Sequence, residues 1–156
     1  MTVCDFSALV TCYAQLNGRV RPETDLSNKE SMLHHLSIAV SDLDRTSAFY
    51  DAVLRPLGYT QVFADDEAVG YGYEGGDDKL CLKRAKQVIV PSERFHLAFT
   101  ATEPSQVHEF HAAALRHGGR CNGAPGPRPE YGKGYYAAFV FDPEGYRIEA
   151  VINVTA

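Results

Sequence analysis

The chain has 156 residues and a formal net charge of −5, with 15 Lys and Arg against 20 Asp and Glu. Such a length fits one domain or two small ones. Hydrophobic residues at 45% and charged residues at 22% are typical of globular proteins and exclude a disordered, collagen-like or coiled-coil chain. The acidic balance argues against a nucleic-acid partner.

No stretch approaches the roughly 20 apolar residues that a membrane span requires, and the first residues lack the features of a signal peptide. The four cysteines have neither the spacing of a zinc knuckle nor the density of a disulfide scaffold. We therefore expect a cytoplasmic protein with reduced thiols and no membrane partner.

The first 31 residues differ in pattern from the rest. Residues 17–31 are polar and contain Gly18 and Pro22, which is typical of a linker, and residues 3–16 could form a short helix. Apolar periodicity begins at Met32. The sequence predicts an N-terminal extension over 1–31, formed by a helix and a linker, and a domain over 32–156.

The domain contains an internal repeat. An offset of 61 aligns residues 35–59 with 96–120 and matches His35 with His96, while a second offset of 68 aligns Cys81 with Glu149. Each copy starts with an alternating run typical of a half-buried strand, followed by a helical pattern. The repeat predicts two modules, 33–91 and 94–153.

The helices have recognisable ends. Asp44 or Ser41 could cap the first helix, which Gly58 terminates, and Ser105 could cap the second. The apolar positions of both helices predict their buried sides: Ala48, Phe49, Ala52, Val53 and Leu57 in the first, and Val107, Phe110, Ala114 and Leu115 in the second.

Further strands are predicted after each helix, at 60–64, 68–73, 79–84, 135–141 and 146–152. The segment 142–145, DPEG, has the residues of a tight turn that joins two antiparallel strands. Residues 121–136 are rich in Gly and Pro, and we interpret them as a long loop that forms a lid.

Alternation decides which side chains share a face of each strand. His35, His96 and Glu149 are predicted on the face away from the helices, as is Cys81, whereas the neighbouring His34 has the parity of the apolar face. Two imidazoles and a carboxylate, with a thiol nearby, suit a divalent metal such as Zn, Ni, Fe, Mn or Co. Three protein ligands would leave positions open for substrate.

The segments at 34–59, 95–104 and 142–151 resemble the vicinal oxygen chelate superfamily, which includes glyoxalase I, fosfomycin-resistance enzymes, extradiol dioxygenases and bleomycin-resistance proteins. The resemblance covers residues 33–153. It implies an α+β fold of paired βαβββ modules whose mixed sheets curl into a cup around one divalent metal ion.

The resemblance also implies site residues. The metal ligands of the superfamily correspond to His35, His96 and Glu149, whereas Cys81 stands where glyoxalase I has a second glutamate. Cys81 is therefore a possible fourth ligand, although a small buried residue is the simpler interpretation. Glu149 is also a candidate general base, and so is Tyr131.

Several side chains are candidates for contacts with an anionic or carbonyl-bearing substrate. They are Arg128, Lys133, Tyr135 and Arg147, with Lys79 and Lys83 as further basic residues of the same cavity. The histidines of the second helix, His108, His111 and His117, are expected at the surface.

The main hypothesis is a metal-dependent enzyme, a glyoxalase-like lyase or a dioxygenase, in which the metal chelates and polarises an oxygen-bearing small molecule. The alternative is a metal-free protein that sequesters a small molecule, as bleomycin-resistance proteins do. Relatives form the cup within one chain or across a dimer, and we expect a homodimer.

Overall fold

A computed structural model describes residues 33–153, so the helix and linker predicted over 1–31 lie outside the described residues. Two modules follow one another. The first contains β1 (Leu36–Val40), α1 (Leu43–Leu54), a 3-10 turn (Arg55–Leu57), β2 (Thr60–Ala64), β3 (Ala68–Gly72) and β4 (Asp78–Arg84). The second contains β5 (Leu97–Thr100), α2 (Pro104–Arg116), β6 (Arg120–Pro127), β7 (Tyr135–Phe141) and β8 (Arg147–Asn153).

Each module has its own four-stranded mixed sheet. The strand orders are β1-β4-β3-β2 and β5-β8-β7-β6, in which only the pairs β1–β4 and β5–β8 are parallel. Ser37 pairs with Cys81 in the first sheet, and Ala98 pairs with Glu149 in the second. These pairs are related by the two sequence offsets, 61 and 68, so the structure confirms the repeat in its register as well as its topology.

The two helix N-termini differ from the sequence prediction. The side chain of Asp42, and not of Asp44 or Ser41, caps α1 by accepting a hydrogen bond from the backbone N–H of Arg45. Helix α2 begins one residue before Ser105, because Pro104 occupies its first turn and Glu103 forms a capping box with Gln106. Acidic and amide side chains thus replace the expected hydroxyl cap.

The predicted buried sides of the helices are confirmed except at Ala48 and Leu115, which are exposed. Phe49, Val53, Val107 and Phe110 are fully buried, but Leu115 is 46% exposed. Ala113 takes the expected inward position instead and is 4% exposed. A smaller side chain suits this side of α2, since α2 packs against α1 there.

The prediction of a lid over 121–136 is wrong for its first half. Residues 120–127 form strand β6, which pairs with β7 through two register shifts that accommodate the Gly and Pro residues. Prolines are tolerated because β6 is the edge strand of its sheet. Only 128–134 remains a connecting loop, and the predicted turn at 142–145 is present, with Gly145 at φ 100°.

One hydrophobic core is shared by both modules. Hydrogen bonds also connect them: the buried Tyr50 hydroxyl donates to Asp142 at 3.0 Å, and the Tyr146 hydroxyl donates to the carbonyl of Ala39 at 3.0 Å. The carboxylate of Glu144 accepts from the hydroxyl and backbone N–H of Ser41. The helices and this core cover one side of each sheet, and the other side carries the predicted site residues.

Candidate functional site

The carboxylate of Glu149 lies at the centre of the candidate site. Its side chain is 0% exposed, which is unusual for a carboxylate. Strand alternation explains its direction, because Ile148 and Ala150 on either side pack into the core while Glu149 points to the opposite face. The Nε2 atom of His96 lies 3.3 Å from Oε2 of Glu149. His96 and Glu149 are thus brought together as predicted.

The two oxygens of Glu149 have different surroundings. Oε1 accepts a hydrogen bond of 2.7 Å from the hydroxyl of Tyr135. Oε2 is buried and has no hydrogen-bond partner among residues 33–153. Burial, and then the adjacent Glu149, raise the pKa of Tyr135 well above its ordinary value, so its hydroxyl remains a donor in the neutral range.

His35 lies just before β1, in the other module, and its Nδ1 is 2.9 Å from Nδ1 of the adjacent His34. Both rings are exposed. Within the described part of the chain, no three His, Cys, Asp or Glu side chains are close enough together to hold a metal ion. The structure therefore brings together two of the three predicted ligands, and it leaves His35 next to the sheet of the first module.

Cys81 occupies in the first sheet the position that Glu149 occupies in the second, and it is 3% exposed. Its Sγ atom is 3.7 Å from the carbonyl oxygen of Leu82, and burial raises the pKa of the thiol. These are properties of a small buried residue, and the proposed role of Cys81 as a fourth ligand stays a prediction.

The predicted substrate contacts are distributed around the second sheet. The Arg128 guanidinium donates to the carbonyls of Ala124 and Pro127 and lies 5.5 Å from the centre of the Phe139 ring. The Arg147 guanidinium lies 5.1 Å from the centre of the Phe141 ring. Each cation therefore rests on an aromatic ring at the sheet surface.

Tyr131 is 62% exposed, and its ring meets those of Tyr135 and Phe139 edge to face. Lys133 and Tyr135 also line a cleft of about 570 Å³ between the 128–134 loop and the start of α2. The loop thus places one candidate base, Tyr131, against Tyr135. The cleft that Lys133 lines is also bordered by Tyr136 and Ile152, which lie on the helix side of the sheet.

Two aromatic residues of the exposed sheet faces were not identified from the sequence. Phe139 pairs with Glu149 across β7 and β8, and the Phe63 ring lies against Gly70, so closely that a Cβ at residue 70 would collide with it. Phe63 is 41% exposed. The position of Phe139 beside Glu149 was predictable, because the turn at 142–145 fixes the register of the β7–β8 hairpin. The β-bulge in β2 next to Phe63 has no simple sequence signature.

His108 and His117 are exposed as expected, whereas His111 is half-buried. His108 contacts the hydroxyl of Tyr136 at 2.8 Å, and His111 contacts the Sγ atom of Cys121 at 3.2 Å. Burial, and then the nearby His108, lower the pKa of His111, which favours its neutral form. None of these side chains contacts the Glu149 pair.

Comparison with known proteins decides the family. The model of the Glyoxalase/Bleomycin resistance protein/Dioxygenase superfamily matches residues 32–150. The chain belongs to this superfamily. This glyoxalase-superfamily protein is 27% identical over 126 residues to the uncharacterized protein YqjT of Bacillus subtilis strain 168, with 76% of this chain and 97% of the relative covered.

Solved structures agree with the family and its α+β fold. A glyoxalase/bleomycin resistance protein from Albidiferax ferrireducens T118 is 31% identical, with a TM-score of 0.67, 80% of this chain covered and 100% of the other. The fosfomycin resistance protein FosX from Mesorhizobium loti shares the fold, with 17% identity, a TM-score of 0.58 and coverage of 78% and 92%. The predicted paired modules are thus confirmed. In residues 33–153, no helix is long and apolar enough to span a membrane.

Proposed function

We propose that this superfamily member is a homodimeric, metal-dependent enzyme that acts on an oxygen-bearing small molecule. His96 and Glu149 of one protomer, together with His35 of the partner subunit, would hold one divalent cation. The observation that carries the proposal is the fully buried carboxylate whose Oε2 atom lacks a hydrogen-bond partner and lies 3.3 Å from the imidazole nitrogen of His96.

The donor pair fits a divalent ion in both chemistry and spacing. Imidazole nitrogen and carboxylate oxygen suit Zn, Ni, Fe, Mn or Co. Two ligand atoms that each lie about 2.0–2.2 Å from one ion are roughly 3–3.5 Å apart at tetrahedral or octahedral angles. The 3.3 Å between Nε2 and Oε2 falls within this range. A buried carboxylate oxygen without a donor is otherwise costly, because it has lost its water and gained nothing in return.

A partner subunit would supply what one chain lacks. His35 is exposed beside the start of the first sheet. Phe63 and Tyr131 are also exposed, and their rings lie against Gly70 of the first sheet and Phe139 of the second. Contact between the first sheet of one protomer and the second sheet of another would cover these rings. Twofold symmetry would then form two equivalent sites, each with one histidine from the opposite chain.

The candidate site residues have different parts in the proposed reaction. A bound divalent ion would polarise a substrate oxygen and stabilise developing negative charge. Glu149 or Tyr131 would act as general base and accept a proton from the substrate. Arg147 and Lys133 would attract an anionic or carbonyl-bearing substrate. Arg128 would hold the loop and the Phe139 ring in place, since its guanidinium donates to two backbone carbonyls.

Metal content tests the proposal directly. Protein purified without chelator should contain close to one divalent ion per chain, and the chelator-treated protein should regain thermal stability when Zn, Ni, Mn, Fe or Co is added, since ligation stabilises the native state. His96→Ala should lose both effects. A protein that neither contains nor responds to any of these ions would refute metal dependence, and retained ligand affinity in His96→Ala would favour the sequestering alternative.

Subunit mixing tests the shared site. Neither His35→Ala nor His96→Ala should bind metal well alone. When equal amounts of the two variants exchange subunits at random, half of the dimers should be heterodimers. Each heterodimer has one intact site out of two, so the mixture should bind about a quarter of the metal that the wild type binds. Full metal binding by His35→Ala alone would place His35 outside the site, and exchanged subunits that regain no metal, although the wild type binds it, would refute a site shared between two chains.

A further inference from the structure

Tyr135 makes a contact that its predicted role as a substrate ligand does not explain. Its hydroxyl donates to Oε1 of Glu149 at 2.7 Å, the short distance typical of a hydrogen bond to a carboxylate. Tyr135 begins β7 and pairs with Asn153, whereas Glu149 pairs with Phe139. The two residues therefore do not face each other directly, and their side chains reach toward each other along the sheet.

The small side chain of Ala137 makes this reach possible. Ala137 lies between Tyr135 and Phe139 on the same face of β7, and it is fully buried. A methyl group at this position leaves space for the phenol and the carboxylate to meet above it. The contact is therefore built into the strand and does not depend on the mobile end of an exposed side chain.

We propose that Tyr135 is a positioning residue, which acts through Glu149 by holding Oε1 and directing Oε2 toward the metal and His96. This inference rests on the proposed function. Ligating carboxylates in metal proteins are oriented by outer hydrogen bonds of this kind, whose loss weakens metal affinity by about 10–100-fold. The phenol hydroxyl donates its single proton to Glu149, so Tyr135 contributes to the substrate cavity mainly through its ring.

The matched pair of variants is Tyr135→Phe and Tyr136→Phe. Each removes one phenolic oxygen from adjacent residues of β7 and keeps the ring. The hydroxyl of Tyr136 contacts His108 on the helix side of the sheet, so its loss controls for a general effect on the strand. Circular dichroism and thermal unfolding of the metal-free proteins check that both variants fold.

Titration of the metal-free proteins with Co²⁺ gives two readouts that do not depend on activity: the affinity and the visible absorption spectrum, which reports ligand geometry. Tyr135→Phe should bind Co²⁺ about 10–100-fold more weakly than the wild type and change the spectrum, because the released carboxylate can turn. Tyr136→Phe should change neither. In a Glu149→Ala background, Tyr135→Phe should cause no further loss, since two residues that act as one unit are not additive.

The outcomes separate the two proposals. If the wild type binds Co²⁺ and Tyr135→Phe matches it within about twofold, with an unchanged spectrum, the positioning role is wrong and the metal site stands. An equal loss in the Glu149→Ala background would also refute it, because Tyr135 would then act through another group. If the wild type binds no Co²⁺, Zn²⁺, Mn²⁺, Fe²⁺ or Ni²⁺, the proposed function fails and this inference fails with it.

Discussion

Replacing Glu149 by Gln should make the metal-free protein more stable. Glutamine has the same shape, and its carbonyl oxygen can still accept from the Tyr135 hydroxyl, which is 2.7 Å from Oε1. The amide nitrogen then takes the place of Oε2, 3.3 Å from Nε2 of His96, and can donate to that nitrogen when the imidazole proton is on Nδ1. An unsatisfied buried acceptor becomes a satisfied donor, and the buried charge is removed.

The size of the effect follows from the burial. Leaving a buried polar atom without a partner costs about 1–3 kcal/mol, so the free energy of unfolding of metal-free Glu149→Gln should exceed that of the wild type by roughly 1–2 kcal/mol. For a domain of this size, such a gain corresponds to an increase in Tm of about 3–8 °C. Metal should reverse the order, because an ion at 100 times its Kd adds about 2.7 kcal/mol to a protein that binds it, and the amide is a poorer ligand than the carboxylate.

Urea unfolding followed by circular dichroism, with chelator or with added Zn²⁺, measures both differences. Glu144→Gln is the matched control. Glu144 is another nearly buried carboxylate, at 7% exposure, but it has partners in Ser41 and lies 3.8 Å from Arg45. It should lose stability with and without metal. If metal-free Glu149→Gln is destabilised as much as Glu144→Gln, Oε2 of Glu149 is well satisfied in the native state, and the argument from its burial is wrong.

Three further predictions test the fold. Burial raises the pKa of Tyr50 and Tyr71 above the ordinary value of 10.0, so the unfolded state ionises first and stability should decline as the pH rises above about 10; tyrosinate absorbance should appear together with unfolding and not before it. Iodoacetamide should modify the exposed Cys121 in the native protein and the buried Cys81 only after unfolding, which peptide mass analysis can verify. Gly72→Ala should destabilise the protein by about 1–3 kcal/mol in urea titrations, because the new Cβ would collide with the backbone carbonyl of Asp77; Gly75→Ala, with open space around it, should cost about 1 kcal/mol through its positive φ alone.

Most of the fold was predicted from the repeat, because the apolar positions of a strand and the following helix recur at a constant offset and mark the buried side of both modules. The faces of Glu149 and His96 followed from strand alternation in the same way. Strand β6 was missed since RCNGAPGP has low intrinsic strand preference, and its pairing with β7 is a tertiary effect. The Glu103 cap was missed because Ser105, two residues later, has a hydroxyl side chain of the kind preferred at helix N-caps.

The sequence did not predict how the candidate ligands of the two modules are placed relative to each other. Alternation places His35 and His96 on corresponding faces of their sheets, but it does not bring the two sheets together. The Tyr135–Glu149 contact was also not predicted from the pattern, because the two residues are not directly opposite in the hairpin and their side chains meet by extending along the sheet past Ala137. Local sequence patterns determine which face of a strand a side chain is on. The distance between two side chains on different strands depends on how the whole molecule packs.

The single core beneath both sheets has a consequence for folding. Although the sequence is duplicated, neither copy encloses its own hydrophobic residues, and the Tyr50–Asp142 hydrogen bond joins positions 92 residues apart. A module made alone would expose the surface that normally packs on its twin. The duplicated chain should therefore unfold in one cooperative transition, and its folding should be slow for its length, since so much of its order depends on contacts distant in sequence.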